Sequence, residues 1–363
     1  RRGLLRDACA LVGGAAVGAG IASDEITPSK IEDVLGSDEK ARSLMPVATV
    51  TAQSPTDSDY EQYRGSPRNT GVNRSDLSPV SVNNVERYFT GKELSKAPVT
   101  STDGLIAAPG TGAMYVVDPE TGETNELPAL GEVSHAIFHD GDIIYGDVEK
   151  TRKADPMGTV KETLDGRAEG ANKKIGDTAF RGISGGIEKY NPETLETENL
   201  DNIEQATSGS DALAILDNGR KIAHNGVDRG NGLDLYDVEN EEILNEFSDA
   251  VIDHISADDE YIYGLGNSLH VFDHDLNEIT SRDIDASAPV VSLENEDGSR
   301  NIYTTKDGWN GIIASYSLRD GDLEMDWETE VDGTAGGVIL YGDLILAGGT
   351  EAAWALTLDG EVK

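Results

Sequence analysis

Apolar residues along this chain come in short pulses, each opened by a turn rich in Asp, Asn or Gly and often closed by Gly. The pulses run from Asp103 to Ala107, Gly141 to Gly146, Gly176 to Phe180, Gly219 to Ala223, Asp259 to Gly264, Ser299 to Tyr303 and Gly342 to Leu346. Anchored at Ala107, Tyr145, Phe180, Ala223, Tyr263, Tyr303 and Leu346, they repeat every 35 to 43 residues. A second pulse follows most anchors and ends in a turn: Met114 to Gly122, Ile187 to Thr194, Leu233 to Asp237, Leu269 to Asp273, Ile313 to Ser317 and Trp354 to Thr357. These segments alternate as strands do and close on Asp or Asn, whose side chain accepts local backbone N–H groups in a turn. The weakest copy is placed near Thr159 to Gly166.

A period of about 40 residues holds four short antiparallel strands, the content of one propeller blade. Helical spacing is missing, and the units are full of Gly turns and β-branched residues. The pattern therefore predicts an all-β fold, a seven-bladed β-propeller of four-stranded antiparallel blades between about residues 85 and 363, with six or eight blades as the neighbouring alternatives. Ring closure explains how a chain with only 5 Phe and 3 Trp fills a core, because each blade buries both faces against its neighbours.

The N-terminal end reads as an address. Arg1-Arg2-Gly3-Leu4-Leu5-Arg6 resembles the twin-arginine export motif, and the mild Gly/Ala-rich stretch Ala8 to Ala22 ends in small residues before Ser23. Residues 1–22 are expected to be a signal peptide, 23–62 an acidic linker and 63–363 the propeller. Cys9 is the single cysteine, so the chain has no internal disulfide and no Cys-based zinc site; Arg6 and Asp7 before it do not suit a lipidation motif. The expected location is extracellular or in the cell envelope, with membrane association only through a tether or a partner.

Charge narrows the partners. Lys and Arg total 29 against 68 Asp and Glu, a net −39. A nucleic-acid partner is excluded because the chain lacks the basic field that neutralises phosphates. Such acidity fits a halophilic protein: in concentrated salt the Debye length falls to about 3 Å and surface carboxylates repel only weakly.

Tyr63-Arg64-Gly65-Ser66-Pro67-Arg68-Asn69-Thr70-Gly71 resembles the lead-in of PQQ-like (quinoprotein-type) repeat propellers, and Ala97-Pro98-Val99, Asp103-Gly104 and Tyr115 to Gly122 resemble their repeat consensus. The resemblance implies that Val85 to Gly91 completes the last blade beside Ala352 to Leu358. It also implies one of two functional kinds. Quinone-dependent dehydrogenases of the family are longer, with eight blades, a vicinal cysteine pair and a calcium site; the others are cofactor-free scaffolds similar to the propeller lipoprotein of the outer-membrane assembly machinery. A single cysteine and a short chain point to the second kind, without PQQ or calcium. The expected function is an exported, non-catalytic propeller that binds an envelope or extracellular protein or an anionic glycan, as a monomer or within a complex. The alternative is a quinone- or metal-dependent enzyme with its site at the central channel.

Few motifs compete with that reading. Asp273-His274-Asp275-Leu276-Asn277 begins like a calcium loop, but Glu278 stands where Gly is needed and Ile284 where a bidentate Glu belongs, so a hairpin turn is expected. The six histidines, His135, His139, His224, His254, His270 and His274, show no zinc spacing, and no Gly-x-Ser-x-Gly elbow occurs. One stretch breaks the acidic pattern. Between Lys150 and Arg181 stand eight bases, Lys150, Arg152, Lys153, Lys161, Arg167, Lys173, Lys174 and Arg181, against five acids, so this segment carries +3 and the remainder −42. It is a candidate docking patch for an anionic partner; a long exposed hairpin with tolerated bases is the plainer reading.

Overall fold

A computed structural model describes residues 99–363, apart from 102–103, 119–120, 167, 184–185, 201–212, 226–231, 285–287, 307–310, 332–334, 342 and 350–352, together with the two-residue strands Val17–Gly18, Val72–Asn73 and Glu86–Arg87. Val17–Gly18 apart, the expected signal peptide, the linker, Cys9 and the lead-in Tyr63 to Gly71 lie outside the described residues.

Seven four-stranded sheets follow one another as a β-propeller. Blade 1 comprises Val99–Thr100, Ile106–Pro109, Thr111–Val117 and Thr124–Glu132; blade 2, Ile137–His139, Asp142–Gly146, Lys150–Ala154 and Val160–Asp165; blade 3, Ala168–Ile175, Thr178–Ile183, Gly186–Tyr190 and Thr197–Asn199. Blade 4 comprises Leu213–Leu216, Lys221–His224, Leu233–Asp237 and Glu242–Phe247; blade 5, His254–Ala257, Tyr261–Leu265, Ser268–Asp273 and Glu278–Asp283; blade 6, Val291–Glu294, Arg300–Lys306, Ile312–Arg319 and Asp322–Glu330. Blade 7 is Ala335–Tyr341, Leu344–Gly349 and Ala353–Thr357, with Val72–Asn73 added in parallel to its first strand. All seven sequence anchors fall in the second strands, which are buried on both faces and therefore read as continuous apolar runs.

Strand alternation distributes those runs between neighbours. In blade 2, Ile143 and Tyr145 join the cluster with Met114, Val116 and Phe138 against blade 1, whereas Ile144 joins Ala179, Tyr190 and Leu195 of blade 3. Comparable clusters lie between blades 3 and 4, 4 and 5, 5 and 6, and 6 and 7. A β-bulge recurs in the fourth strands of blades 2, 4, 5 and 6, where Lys161, Leu244, Ile279 and Asp326 are the extra residues. A bulge bends the strand and re-aims its side chain.

Two expectations are corrected. The third strand of blade 2 is the polar segment Lys150–Ala154, and Val160–Asp165 is the fourth strand. The polar strand fits a buried position because its side chains find partners in the adjoining blades. Secondly, Glu86–Arg87 pairs with Val17–Gly18 and does not complete the last blade. The outer edge of Ala353–Thr357 is taken by the chain's own C-terminal residues, through a bridge between Leu356 and Val362 and a bond from the Lys363 N–H to the Ala355 carbonyl at 2.9 Å.

Candidate functional site

The basic segment is the most anomalous part of the chain, and the fold folds it inward. In Lys150–Ala154, alternation sends Thr151 and Lys153 towards blade 3 and Arg152 towards blade 1. Lys153 Nζ donates to the Glu193 carbonyl at 2.8 Å and to its Oε2 at 2.7 Å. Arg152 instead donates to Asp147 Oδ2, which also accepts the Leu130 N–H of blade 1 at 2.8 Å. Burial alone would raise the Asp147 carboxyl, but the N–H groups of Glu149, Leu130 and Lys150, together with Arg152, hold it below the usual carboxylate range.

Arg181 is 1% exposed. Its register partner Glu188 accepts from Nε at 2.8 Å and from Nη2 at 2.5 Å, while Nη1 reaches Thr151 Oγ1 at 2.5 Å and Nη2 the Asp165 carbonyl at 3.2 Å in blade 2. Lys173 is buried, and Lys174 Nζ caps the Phe138 carbonyl at 2.9 Å. The bulged Lys161 reaches Asp142 Oδ1 at 2.5 Å. Lys150 lies on the rim, 3.5 Å from Asp165, and Arg167 lies outside the described residues.

Burial withdraws Lys153, Lys173 and Arg181 from the candidate basic patch, while the neighbouring strand Val160–Asp165 is largely exposed. Lys153 and Arg181 sit between blades 2 and 3, and Lys173 is buried on the face of blade 3 that it shares with Phe180, so none of the three can offer its charge to a docked partner; among the described bases Lys150 and Lys161 are the most open, and each already faces an aspartate.

At the edge of this network stand three metal-ligating groups that sequence spacing did not bring together. His139 ends the first strand of blade 2, Asp140 begins the following turn at φ +49°, and Glu193 lies in the Asn191–Leu195 hairpin of blade 3, whose Asn191 Oδ1 accepts the Glu193 N–H at 2.7 Å. His139 Nε2 is 3.9 Å from Asp140 Oδ2 and 3.8 Å from Glu193 Oε2. Burial and then Lys174 lower the His139 pKa against the opposing pull of Asp140, and the hydrogen bond from Lys153 lowers that of Glu193. Blade register was the signal available: a third-to-fourth-strand hairpin abuts the preceding blade.

The other histidines serve separate surroundings. His224 is buried with its Nδ1 3.1 Å from the Asn225 carbonyl, and burial pushes its pKa down to about 4. His270 Nδ1 meets Glu278 Oε1 at 2.7 Å, and His274 Nε2 meets the Asp258 carbonyl at 3.0 Å. Asp273 forms the expected hairpin turn, with Oδ1 accepting the N–H groups of Asp275 and Asn277, both at 2.9 Å. A cleft of about 310 Å³ opens beside blade 5, lined by Ser248 to Val251, Asn267 and Ser268. Gly266 is required next to it, since a Cβ there would lie 2.0 Å from the Val251 carbonyl oxygen.

No family model matches the sequence, and no curated protein matches it. Solved structures do. BamB from Moraxella catarrhalis is similar at 14% identity and a TM-score of 0.51, over 71% of this chain and 86% of that one. A chain in the structure of the mitotic checkpoint complex is similar at 14% identity and a TM-score of 0.53, over 77% of this chain and 98% of that one. The likeness is one of fold. It supports the seven-bladed β-propeller on which the interior charges have just been placed, and among the described residues no helix is long and apolar enough to cross a membrane.

Proposed function

We propose that this protein is a propeller scaffold that binds another protein in the cell envelope or outside the cell. The observation that carries the proposal is the use made of interior charge. Lys153, Arg181 and Arg300 are each held by groups of an adjoining blade: Lys153 by Glu193, Arg181 by Thr151 and Asp165, and Arg300 by Glu260 at 3.1 Å. Polar side chains that would be expensive to bury are thus spent on fixing blade against blade. A ring built this way presents its loops as a preorganised binding surface. Fold likeness to BamB and to a component of a checkpoint complex supports the reading, as does the resemblance to cofactor-free PQQ-like scaffolds.

The twin-arginine-like start supports export, and the net −39 supports a home in concentrated salt. The test is recovery of the protein from its native cells in high salt, with intact mass, absorption spectrum and co-purifying chains measured together. The scaffold reading expects a colourless protein outside the cytoplasmic membrane with a stoichiometric protein companion, and export lost when Arg1 and Arg2 are both changed to Lys. A stoichiometric quinone would overturn it.

A further inference from the structure

We propose that His139, Asp140 and Glu193 form a zinc-class metal site that bridges blades 2 and 3. The site goes beyond the scaffold reading and does not depend on it. One nitrogen and two carboxylate oxygens lie within 4.8 Å of one another. The three atoms fit within a circle of at most about 2.8 Å radius, so movements of under about 1 Å bring them to the Zn–N and Zn–O distances of about 2.0–2.2 Å. The freedom to contract is on the carboxylate side: the Asp140 and Glu193 side chains are 80% and 63% exposed. The histidine is the fixed point, with its side chain only 9% exposed and Nε2 directed between two carboxylates that are both too distant to hydrogen-bond it.

The surroundings suit a held ion. Lys153 grips the carbonyl of Glu193 and its Oε2, the oxygen that faces His139, and so holds that ligand in place while leaving the second carboxylate oxygen uncommitted to it. Asp142 takes Lys161 on one oxygen and faces Lys153 at 3.8 Å with the other, which offsets part of the lysine charge that Lys153, Lys161 and Lys174 bring near the ion. Imidazole with two carboxylates favours a borderline divalent cation such as Zn²⁺ over Ca²⁺, which takes 6–8 oxygens. Three protein ligands leave one tetrahedral position for water on the open side.

The experiment titrates the purified full chain, without any partner, with Zn²⁺ by calorimetry and with Co²⁺ by visible absorption, in about 1 M potassium salt to suppress binding to scattered surface carboxylates. One saturable site per chain is expected, with d–d bands of four-coordinate intensity. His139→Ala should weaken binding at least tenfold and abolish those bands, whereas His274→Ala should leave both unchanged. Glu193→Gln, in an exposed turn, should weaken binding several-fold while retaining the wild-type circular dichroism, so the test survives if His139→Ala fails to fold. Absence of a stoichiometric site, or equal binding by Glu193→Gln and wild type, overturns the proposal. Because no partner is present, neither result bears on the scaffold reading.

Discussion

Between blades 2 and 3 a small apolar cluster is joined by Lys153, Lys174, Arg181 and Asn172, whereas between blades 6 and 7 Tyr303, Ile313, Val338 and Ile345 pack with Trp327 and Trp354. Both junctions use one kind of latch, a side chain that donates to a carbonyl in a hairpin of the next blade. In the first it is Lys153 to Glu193; in the second it is Trp327 Nε1 to Leu358 at 3.0 Å and Thr329 Oγ1 to Gly360 at 2.8 Å. Asn125 to Pro156, Asn245 to Asp275 and Arg282 to Leu323 repeat the device at junctions 1–2, 4–5 and 5–6. The acceptor is thus of one kind throughout, while the donor comes from the third strand at Lys153 and from the fourth strand elsewhere, and its chemistry is interchangeable. What differs is the response to loss: removing rings forfeits contact area, but removing one ion strands its partner.

The largest expected effect follows from that asymmetry. Arg181→Ala should lower the unfolding free energy by about 3–5 kcal/mol, read from urea unfolding, because Glu188 and Thr151 lose a buried donor. The pair Arg181→Met with Glu188→Leu should recover most of that loss; if the double variant is as unstable as the single one, the cost comes from packing and the contrast between junctions fails.

The pH dependence gives the next largest effect and provides a baseline outside both junctions. His224 has a folded-state pKa of about 4 against about 6.5 unfolded, so its neutral form is fully compatible with folding above pH 6.5, and protons favour the unfolded chain below it. Stability should fall by about 3 kcal/mol between pH 6.5 and 4, and His224→Gln should flatten that slope. Glu193 acts at lower pH: its carboxyl is depressed on folding, so the stabilisation it lends junction 2–3 is present above the ordinary carboxylate range and disappears as pH drops through its folded value.

Junction 6–7 is best probed at Gly360. Its φ is +87°, and a Cβ there would lie 2.7 Å from the Trp327 ring, so Gly360→Ala should cost about 1–3 kcal/mol with no added salt dependence. The smallest effect is expected at the rim. Lys150→Glu, opposite Asp165, should change stability by less than about 1 kcal/mol and only at low ionic strength; a larger change persisting in molar salt would show that the charged region extends to the surface.

The sequence revealed the second strands because runs such as Ile143-Ile144-Tyr145 are buried on both faces and carry their signal locally. Lys150–Ala154 was not legible as a strand, since it is made acceptable to the interior by Glu193 and Arg181, two residues of blade 3, and nothing within the strand itself announces those contacts. The same holds for the candidate metal ligands. His139 and Asp140 are adjacent in sequence, but Glu193 reaches them only through the packing of one blade against the next. The turns at Asn191, Asp237 and Asp273 were legible in chemical detail, because an Asx side chain bonds its own neighbours.

Blade 7 carries Val72–Asn73 along the edge of its first strand and Val362–Lys363 along the opposite edge of its third. Tension applied through those two segments would therefore load a single blade from both sides, peeling the short pairings at its margins before the six other blades bear any force. A mechanical unfolding trace should then begin with a small, low-force release of blade 7 and only afterwards show the rupture of the remaining ring.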